Sequence, residues 1–245
     1  MTKTIILIPS RLDATRLPNK PLLKINNKSL INHVYDKGKS ANIGEVYVAT
    51  GDEEISNEVV NNNGKSIFTK KNHLSGTDRI YDAYKKLNRN DIDYIINLQG
   101  DEPIIDTKDI INLNNAAIRY NSEIATLACK LEKKNIKNQN IVKVICDDNI
   151  EKTNLSFAKS FLRSINEKKI DKVYHHIGIY IYKVSTLEKF VRLKQSYNEI
   201  ALKLEQLRAV DNNIKIDVIY SRSIPVGVDT KEDYMEIKKL MEYKS

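Results

Sequence analysis

The chain has few cysteines and no long apolar segment. Its two cysteines, Cys129 and Cys146, lie inside apolar, strand-like runs and lack the spacing of metal ligands. We therefore predict buried, reduced thiols, as is typical of a cytoplasmic protein. No segment is apolar over the length that crosses a bilayer, and the apolar run before Pro9 is too short for a secretory signal. We expect a cytoplasmic protein without membrane insertion.

The sequence also lacks a concentrated basic surface motif, although its net charge is positive. It contains 40 Lys and Arg against 32 Asp and Glu, a formal net charge of +8 at pH 7. That charge is compatible with nucleic-acid binding, but the lysines are dispersed and no basic stripe is interleaved with aromatic residues. We interpret the excess as compositional bias plus attraction for anionic substrates, and we expect no nucleic-acid partner.

Apolar strand-like runs alternate with segments of helical periodicity along most of the chain. This alternation predicts a doubly wound α/β fold with a mainly parallel sheet, as a single domain over residues 1–245. The expected strands are 4–9, 45–50, 66–69, 94–98, 124–129, 142–146, 177–182 and 214–220, and the expected helices are 29–39, 53–61, 77–87, 107–120, 198–210 and 230–241.

A basic loop follows the first apolar run. Arg11, Arg16 and Lys20 are spaced five and four residues apart, with prolines on both sides of Lys20. Such a loop at the carboxyl edge of a parallel sheet can surround a compact polyanion. Guanidinium groups grip phosphate oxygens in pairs, and an ammonium acts as a mobile point charge. The loop predicts a nucleoside triphosphate site, and the alternative is a solvated basic surface loop.

Two aspartates are candidate magnesium ligands. Asp101 follows the strand 94–98 and is expected at the same sheet edge as Arg11, and Asp229 precedes the last helix. Mg²⁺ is commonly held by one or two carboxylates together with substrate phosphates and water. The alternatives are that Asp101 forms a turn and that Asp229 interacts with the dipole of the last helix.

The segment from His73 to Arg79 can begin a helix and hold an anion. Ser75 or Thr77 is expected to cap the helix, and Gly76 permits a turn. The backbone amides there can contact an anion or the edge of a pyrimidine.

Seven ordered blocks of the chain resemble those of the sugar-acid cytidylyltransferases, specifically the 3-deoxy-manno-octulosonate cytidylyltransferase (CMP-KDO synthetase) family. They are IPSRLDATRLPNKPL (8–22), HLSGTDRI (73–80), NLQGDEPII (97–105), NIVKVI (140–145), HHIGIY (175–180), LEQLR (204–208) and GVDTKED (227–233). The resemblance implies a Rossmann-like nucleotidyltransferase fold and a homodimer whose small dimerisation subdomain is 147–172. It also implies transfer of CMP from CTP to 3-deoxy-manno-octulosonate (KDO), with release of diphosphate, for lipopolysaccharide biosynthesis.

The resemblance further assigns roles to individual residues. It implies that Mg²⁺ is held by Asp101 and Asp229, and that Lys20, Arg11 and Arg16 are catalytic with them. CTP contacts are implied for Arg11, Arg16, Lys20, Ser75, Gly76, Thr77 and Arg79, and sugar-acid contacts for Gln99, Lys159, His176, Glu205 and Gln206. An ordinary structural role is the alternative for the acceptor residues: His176 as a hydrogen-bonded surface residue and Glu205 on a polar helix face.

The chain departs from the family pattern at Lys159. Where the family usually has an arginine followed shortly by Ile-Pro, this chain reads FAKSFLR at 157–163. Lysine keeps the charge and loses the bidentate fork, so the acceptor could instead be an amino variant of KDO. Arg163 is a possible substitute. The sequence is also compatible with a cytidylyltransferase for a sialic-type nonulosonic acid and with a non-catalytic nucleotide-binding regulator.

Overall fold

The computed structural model describes residues 2–13, 16–165, 171–224 and 226–243. The chain divides into two compact units. Unit 1 comprises Met1–Ile111 with Pro225–Ser245, and unit 2 comprises Asn112–Ile224. The prediction that 147–172 is a dimerisation subdomain within one domain stays a prediction, and its residues 166–170 lie outside the described residues.

The elements follow in chain order. The first half contains β1 (Thr4–Ser10), β2 (Lys24–Ile25), β3 (Lys28–Ser29), α1 (Leu30–Ser40), β4 (Val46–Thr50), α2 (Glu53–Asn61), β5 (Ser66–Phe68), α3 (Gly76–Leu87), β6 (Tyr94–Asn97) and α4 (Thr107–Tyr120). The second half contains β7 (Ile124–Lys130), β8 (Lys143–Cys146), α5 (Ile150–Thr153), β9 (Leu155–Leu162), β10 (Val173–Lys183), α6 (Val184–Arg192), α7 (Tyr197–Leu202), α8 (Leu207–Asp211), β11 (Ile216–Tyr220) and α9 (Lys231–Glu242).

The main sheet of unit 1 is parallel throughout, in the order β5-β4-β1-β6. Strand β1 is central, and Ile6 is in register with Val46 on one side and Ile96 on the other. Residues Ile5 to Ile8 are fully or almost fully buried, because a central parallel strand is covered on both faces. The loops that leave β1, β4 and β6 therefore emerge at one sheet edge.

Unit 2 contains mixed pairing. Its strands run in the order β10-β7-β11-β9-β8, and β8 also pairs with β10, which closes the five strands into a ring of pairings. Only β7 and β11 are parallel among these pairs. The predicted α/β class is confirmed, and its mainly parallel character belongs to unit 1.

One prediction of local structure was wrong, and one strand was not predicted. The expected helix 198–210 is two short helices, α7 and α8, because Lys203 takes the left-handed conformation with φ 52° and ends α7. The polar stretch 147–172 contains strand β9, whose buried and exposed residues alternate in part. The last helix begins with a capping box that Thr230 and Asp233 form at the start of α9.

The predictions about thiols and membrane segments can be compared with the described residues. Cys129 and Cys146 are buried, as expected, and neither forms a disulfide among the described residues. Burial, with Asp147 and Asp148 nearby, raises the pKa of the Cys146 thiol to about 12. Within the described ranges, no helix is both long and apolar enough to span a membrane.

Candidate functional site

Unit 1 contains a cavity of about 380 Å³ at the carboxyl edge of its sheet. Three loops surround it: the basic loop after β1, the segment before α3 and the turn after β6. Asp229, which precedes α9, completes the lining. Most of the candidate residues of unit 1 lie here, namely Arg11, Arg16, Lys20, Ser75, Gly76, Arg79, Gln99, Asp101 and Asp229. The sheet edge predicted for the site is therefore where these side chains converge.

The Lys20 ammonium is held by acidic and backbone groups of the cavity. Its Nζ donates hydrogen bonds to Asp101 Oδ2 and to the Val228 carbonyl, both at 2.8 Å. Asp229 Oδ1 lies 3.5 Å from the same nitrogen. The Lys20 side chain is 15% exposed, whereas those of Asp101 and Asp229 are 34% and 49% exposed. The ammonium is thus held between two carboxylates that still face solvent.

The main chain brings the two aspartates together. The Val228 N–H donates to the Asp101 carbonyl at 2.9 Å, which joins the turn after β6 to the segment before α9. Asp229 is separated from Asp101 by more than a hundred residues in the sequence, so sequence spacing alone could not place them side by side. The structure does so within unit 1.

The aspartate pair is chemically suited to a hard divalent cation. One cation, the Lys20 ammonium, already lies within 3.5 Å of both carboxylates. Among the described residues, no group of three or more His, Cys, Asp or Glu side chains is placed to hold a metal. Two carboxylates nevertheless fit Mg²⁺ chemistry, because this ion usually takes its remaining ligands from phosphate and water.

The two arginines of the basic loop are accessible to a ligand. Arg11 is exposed directly after β1, and Arg16 is 60% exposed with one guanidinium nitrogen 3.3 Å from Asp229 Oδ1. Neither guanidinium is buried, so both can bind phosphate oxygens in pairs. Residues 14 and 15, between them, are outside the described residues.

Ser75 begins helix α3, as one of the two expected caps. Its hydroxyl accepts the Asp78 N–H at 3.1 Å and donates to Asp78 Oδ2 at 2.9 Å. Gly76 follows at the point where the helix approaches β1, and a Cβ there would lie 3.2 Å from Pro9 Cγ. Thr77 is buried in the first turn and does not line the cavity, unlike the other residues predicted to contact CTP.

Arg79 lines the cavity, but its guanidinium is engaged with the protein. The group is buried and donates to Thr69 Oγ1 at 2.8 Å, to the Lys70 carbonyl at 3.1 Å and to the Lys71 carbonyl at 2.9 Å. Burial lowers the pKa of Arg79. These bonds fix the segment after β5, and the predicted contact of Arg79 with CTP stays a prediction.

Two residues of the turn after β6 border the aspartate pair. Gln99 lines the cavity, and its Nε2 lies 3.4 Å from Asn97 Oδ1. Burial, together with the carboxylates of Asp101 and Asp109, raises the pKa of Glu102 to about 8. The raised pKa favours the neutral form of Glu102 beside Asp101.

In unit 2, His176 lies in the protein interior. It is 8% exposed in β10, and its Nε2 is 3.0 Å from Thr126 Oγ1. Burial, with His175 adjacent, lowers the pKa of His176 to about 3, so the ring is neutral. The ring contacts Phe161 edge-on at 5.1 Å and Tyr180 at 5.4 Å between centroids. His176 is therefore hydrogen-bonded within the protein and not at its surface, and its predicted contact with the sugar acid stays a prediction.

Lys159 is exposed, whereas the Arg163 guanidinium is bonded to the main chain. The Lys159 side chain is 60% exposed, with Nζ 3.0 Å from Asp147 Oδ1. Arg163 donates to the carbonyls of Leu202, Gln139 and Lys203 at 3.0 to 3.3 Å. Its guanidinium therefore joins three backbone segments, which leaves it poorly suited to replace the arginine that the family usually has at Lys159.

Glu205 and Gln206 precede helix α8. Glu205 Oε1 lies 3.9 Å from a guanidinium nitrogen of Arg208. Arg208 itself is buried, bonded to Glu199 at 2.5 and 2.8 Å, and stacked 4.7 Å from the Phe190 ring. Gln206 is the N-cap residue of α8, without a side-chain bond to the helix. Whether either contacts a substrate stays a prediction.

Two features of these surroundings were not identified from the sequence. Leu74 lines the cavity although 84% of it is exposed, which offers an apolar surface to a ligand. In unit 2, Tyr180 is buried beside His176, and burial raises the pKa of its hydroxyl well above the ordinary value. Both lie in sequence blocks quoted above, but only the folded structure shows that Leu74 is exposed and that Tyr180 is buried.

Comparisons with known proteins agree with this architecture. The cytidylyltransferase family model matches residues 5–216. A 3-deoxy-manno-octulosonate cytidylyltransferase from Bartonella tribocorum is 39% identical over 239 residues, 97% of this chain and 98% of the relative. One from Brucella anthropi is 41% identical over 234 residues, 94% of this chain and 93% of the relative.

Solved structures show the same relationship. A CMP:2-keto-3-deoxy-manno-octonic acid synthetase complexed with CTP superposes with a TM-score of 0.89 at 33% identity, covering 100% of both chains. A UDP-glucose pyrophosphorylase superposes with a TM-score of 0.74 at 14% identity, covering 100% of this chain and 99% of the other, which indicates a shared fold only.

The fold and the site define a nucleotidyltransferase, with a parallel sheet whose carboxyl edge carries a basic loop and an aspartate pair. Within that class, the chain belongs to the 3-deoxy-manno-octulosonate cytidylyltransferase family, as the ordered sequence blocks predicted.

Proposed function

We propose that the chain transfers CMP from CTP to 3-deoxy-manno-octulosonate and releases diphosphate. The observation that carries the proposal is the Lys20 ammonium, held by Asp101 and Asp229 in a cavity that Arg11 and Arg16 also line. This arrangement places three cations and two carboxylates around a space that a nucleotide can enter. Membership of the family supplies the identities of the nucleotide and the acceptor.

In the proposed reaction, the anomeric hydroxyl of the sugar acid attacks the α-phosphorus in line. The bond to the diphosphate breaks, and negative charge grows on the departing oxygen. Arg11 and Arg16 bind phosphate oxygens as forks, which holds the triphosphate in one orientation. Lys20 is hydrogen-bonded to Asp101, and its flexible stem lets the ammonium follow charge that develops on the phosphates.

Asp101 and Asp229 would hold Mg²⁺ in this scheme. The bound ion supplies stabilisation of phosphate charge and a template for the two substrates. The carboxylates themselves also orient the Lys20 ammonium, at distances of 2.8 and 3.5 Å. On nucleotide binding, we expect the phosphates to attract the ammonium away from them.

The acceptor contacts proposed are Gln99, Lys159, His176, Glu205 and Gln206. The neutral ring of His176 can exchange hydrogen bonds with hydroxyl groups, and the exposed Lys159 carries a charge complementary to a carboxylate. Because Lys159 is already paired with Asp147, its attraction for an acid is expected to be weaker than that of an unpaired arginine fork. For this reason, the acceptor panel in the diphosphate-release experiment includes an amino variant of the octulosonate.

We also propose that the enzyme works as a homodimer in the cytoplasm, and that its product supplies lipopolysaccharide assembly. The support is the family relationship, together with two buried cysteines that form no disulfide among the described residues.

Diphosphate release tests this proposal. Purified protein is incubated with CTP, Mg²⁺ and each of a panel: 3-deoxy-manno-octulosonate, its amino variant, a sialic acid, and no acceptor. The proposal predicts release with the octulosonate, abolished by EDTA. Binding of CTP without diphosphate release for any acceptor would instead indicate a non-catalytic regulator. The Asp101→Asn protein, prepared in parallel, controls for contaminating activity.

A further inference from the structure

The Asp52 side chain does not cap the helix that it precedes. It follows β4, is 6% exposed and occupies the N-cap position of α2. An aspartate at this position normally accepts a hydrogen bond from an amide in the first turn of its own helix. Here it makes no such bond, and its Oδ2 accepts the backbone N–H of Leu12 at 2.9 Å. Leu12 lies 40 residues earlier, next to Arg11.

The backbone around Asp52 is fixed on both sides. The Asp52 N–H donates to Thr50 Oγ1 at 3.1 Å, and its carbonyl accepts the Ser56 N–H in α2. The preceding residue, Gly51, contacts the segment after β5 so closely that a Cβ there would lie 2.6 Å from Lys71 Cα. The carboxylate is therefore presented to Leu12 from a rigid support.

The negative charge of Asp52 also acts on Arg79, a cation of the cavity. Arg79 holds the segment after β5 from the other side through its bonds to Lys70 and Lys71. Besides burial, the positive charge of Arg11 lowers the pKa of Arg79, whereas the negative charge of Asp52 raises it. The Asp52 carboxylate thus offsets the repulsion between the guanidinium groups of Arg11 and Arg79, which line the same cavity.

We propose that Asp52 is a positioning residue for the basic loop. By holding the Leu12 amide, it fixes the main chain beside Arg11, so that the Arg11 guanidinium is directed to the phosphates before the nucleotide arrives. The identity of that nucleotide as CTP rests on the proposed function. Asp52 itself contacts no substrate in this scheme and acts through the loop.

Three variants test the proposal by steady-state kinetics. Asp52→Ala removes the acceptor of the Leu12 amide and should raise the KM for CTP on the order of tenfold, with the KM for the sugar acid changed less than about twofold. Asp52→Asn keeps an oxygen that can accept the same bond, so the KM for CTP should recover at least in part. Glu54→Gln is the matched control, because exposed Glu54 lines the same acidic groove as Asp52, and this variant should behave as wild type.

Amide hydrogen exchange of the ligand-free proteins gives an independent readout. Exchange at Leu12 should accelerate in Asp52→Ala, stay near wild type in Glu54→Gln and be intermediate in Asp52→Asn. Equal Leu12 exchange in all four proteins would overturn the proposal, as would an unchanged KM for CTP with only a lowered Tm. If the wild type releases no diphosphate, the proposed function fails, and the exchange comparison still decides the role of Asp52.

Discussion

Replacing Lys20 by methionine removes the ammonium that the site is built around while keeping most of the side-chain volume. The change deletes two hydrogen bonds of 2.8 Å, one to Asp101 and one to the Val228 carbonyl. It also leaves the Asp101 and Asp229 carboxylates without the cation that they share. Stability and catalysis should therefore both respond, for different reasons.

The expected losses in the free energy of unfolding and in kcat follow from the exposure of the carboxylates and from the charge of the lysine. A hydrogen bond between charged groups contributes roughly 1.5–3 kcal/mol to stability. Because the two carboxylates are 34% and 49% exposed, water compensates much of the loss, and we expect the free energy of unfolding to fall by about 1–2 kcal/mol. Loss of one preorganised donor to developing charge typically lowers kcat by about 10² to 10³-fold.

Urea unfolding measures the first effect, and diphosphate release at saturating CTP, Mg²⁺ and octulosonate measures the second. Lys24→Met is the matched control, since Lys24 is an exposed lysine four residues further along and does not line the cavity. The control should retain kcat within about twofold of wild type, as a surface substitution away from the site. A Lys20→Met enzyme with kcat within about threefold of wild type would refute the role assigned to the ammonium.

Three further predictions concern the metal ligands, the acceptor and pH. Asp101→Asn and Asp229→Asn should each nearly abolish turnover with the fold intact by circular dichroism, and full activity at saturating Mg²⁺ would exclude the metal role. Lys159→Ala should raise the KM for the sugar acid and leave that for CTP unchanged, and Lys159→Arg should preserve or improve use of the octulosonate. Equal KM values for the sugar acid in the wild type and the two Lys159 variants, with unchanged subunit association, would place Lys159 outside the site. Burial lowers the pKa values of His175 and His176 to about 4 and about 3, below the ordinary 6.5. Their stabilisation is therefore present above pH 6.5 and lost as pH falls, by roughly 1.4 kcal/mol per histidine per pH unit between pH 6 and 5. Urea unfolding at several pH values should show that the free energy of unfolding of His176→Gln falls less steeply between pH 6 and 5 than that of the wild type. An identical dependence on pH would contradict the assignment.

Local chemistry made much of unit 1 predictable. The strand 4–9, the helix 53–61 and the cap at Ser75 follow from apolar periodicity and from polar residues at helix starts. The basic loop and Asp101 were expected at one sheet edge because consecutive parallel strands end there, and both line the cavity.

The remaining features depend on long-range contacts. The backbone bond between Val228 and Asp101 brings Asp229 to the site, and no pattern near Asp229 encodes that distant partner. Asp52 is similar, because its position predicts a helix cap and its carboxylate is instead bonded to Leu12. The break between α7 and α8 depends on one left-handed lysine, which apolar periodicity does not detect.

The central claim is that the anomeric oxygen of the sugar acid attacks the α-phosphorus of CTP, and one labelling measurement tests it directly. Octulosonate carrying ¹⁸O at the anomeric hydroxyl is incubated with the enzyme, CTP and Mg²⁺, and the products are followed by ³¹P NMR. We predict one new phosphodiester resonance, shifted by the isotope because ¹⁸O bridges carbon and phosphorus, with an equal amount of unlabelled diphosphate. Formation of CDP and phosphate, or of CMP without a labelled phosphodiester, would contradict the account.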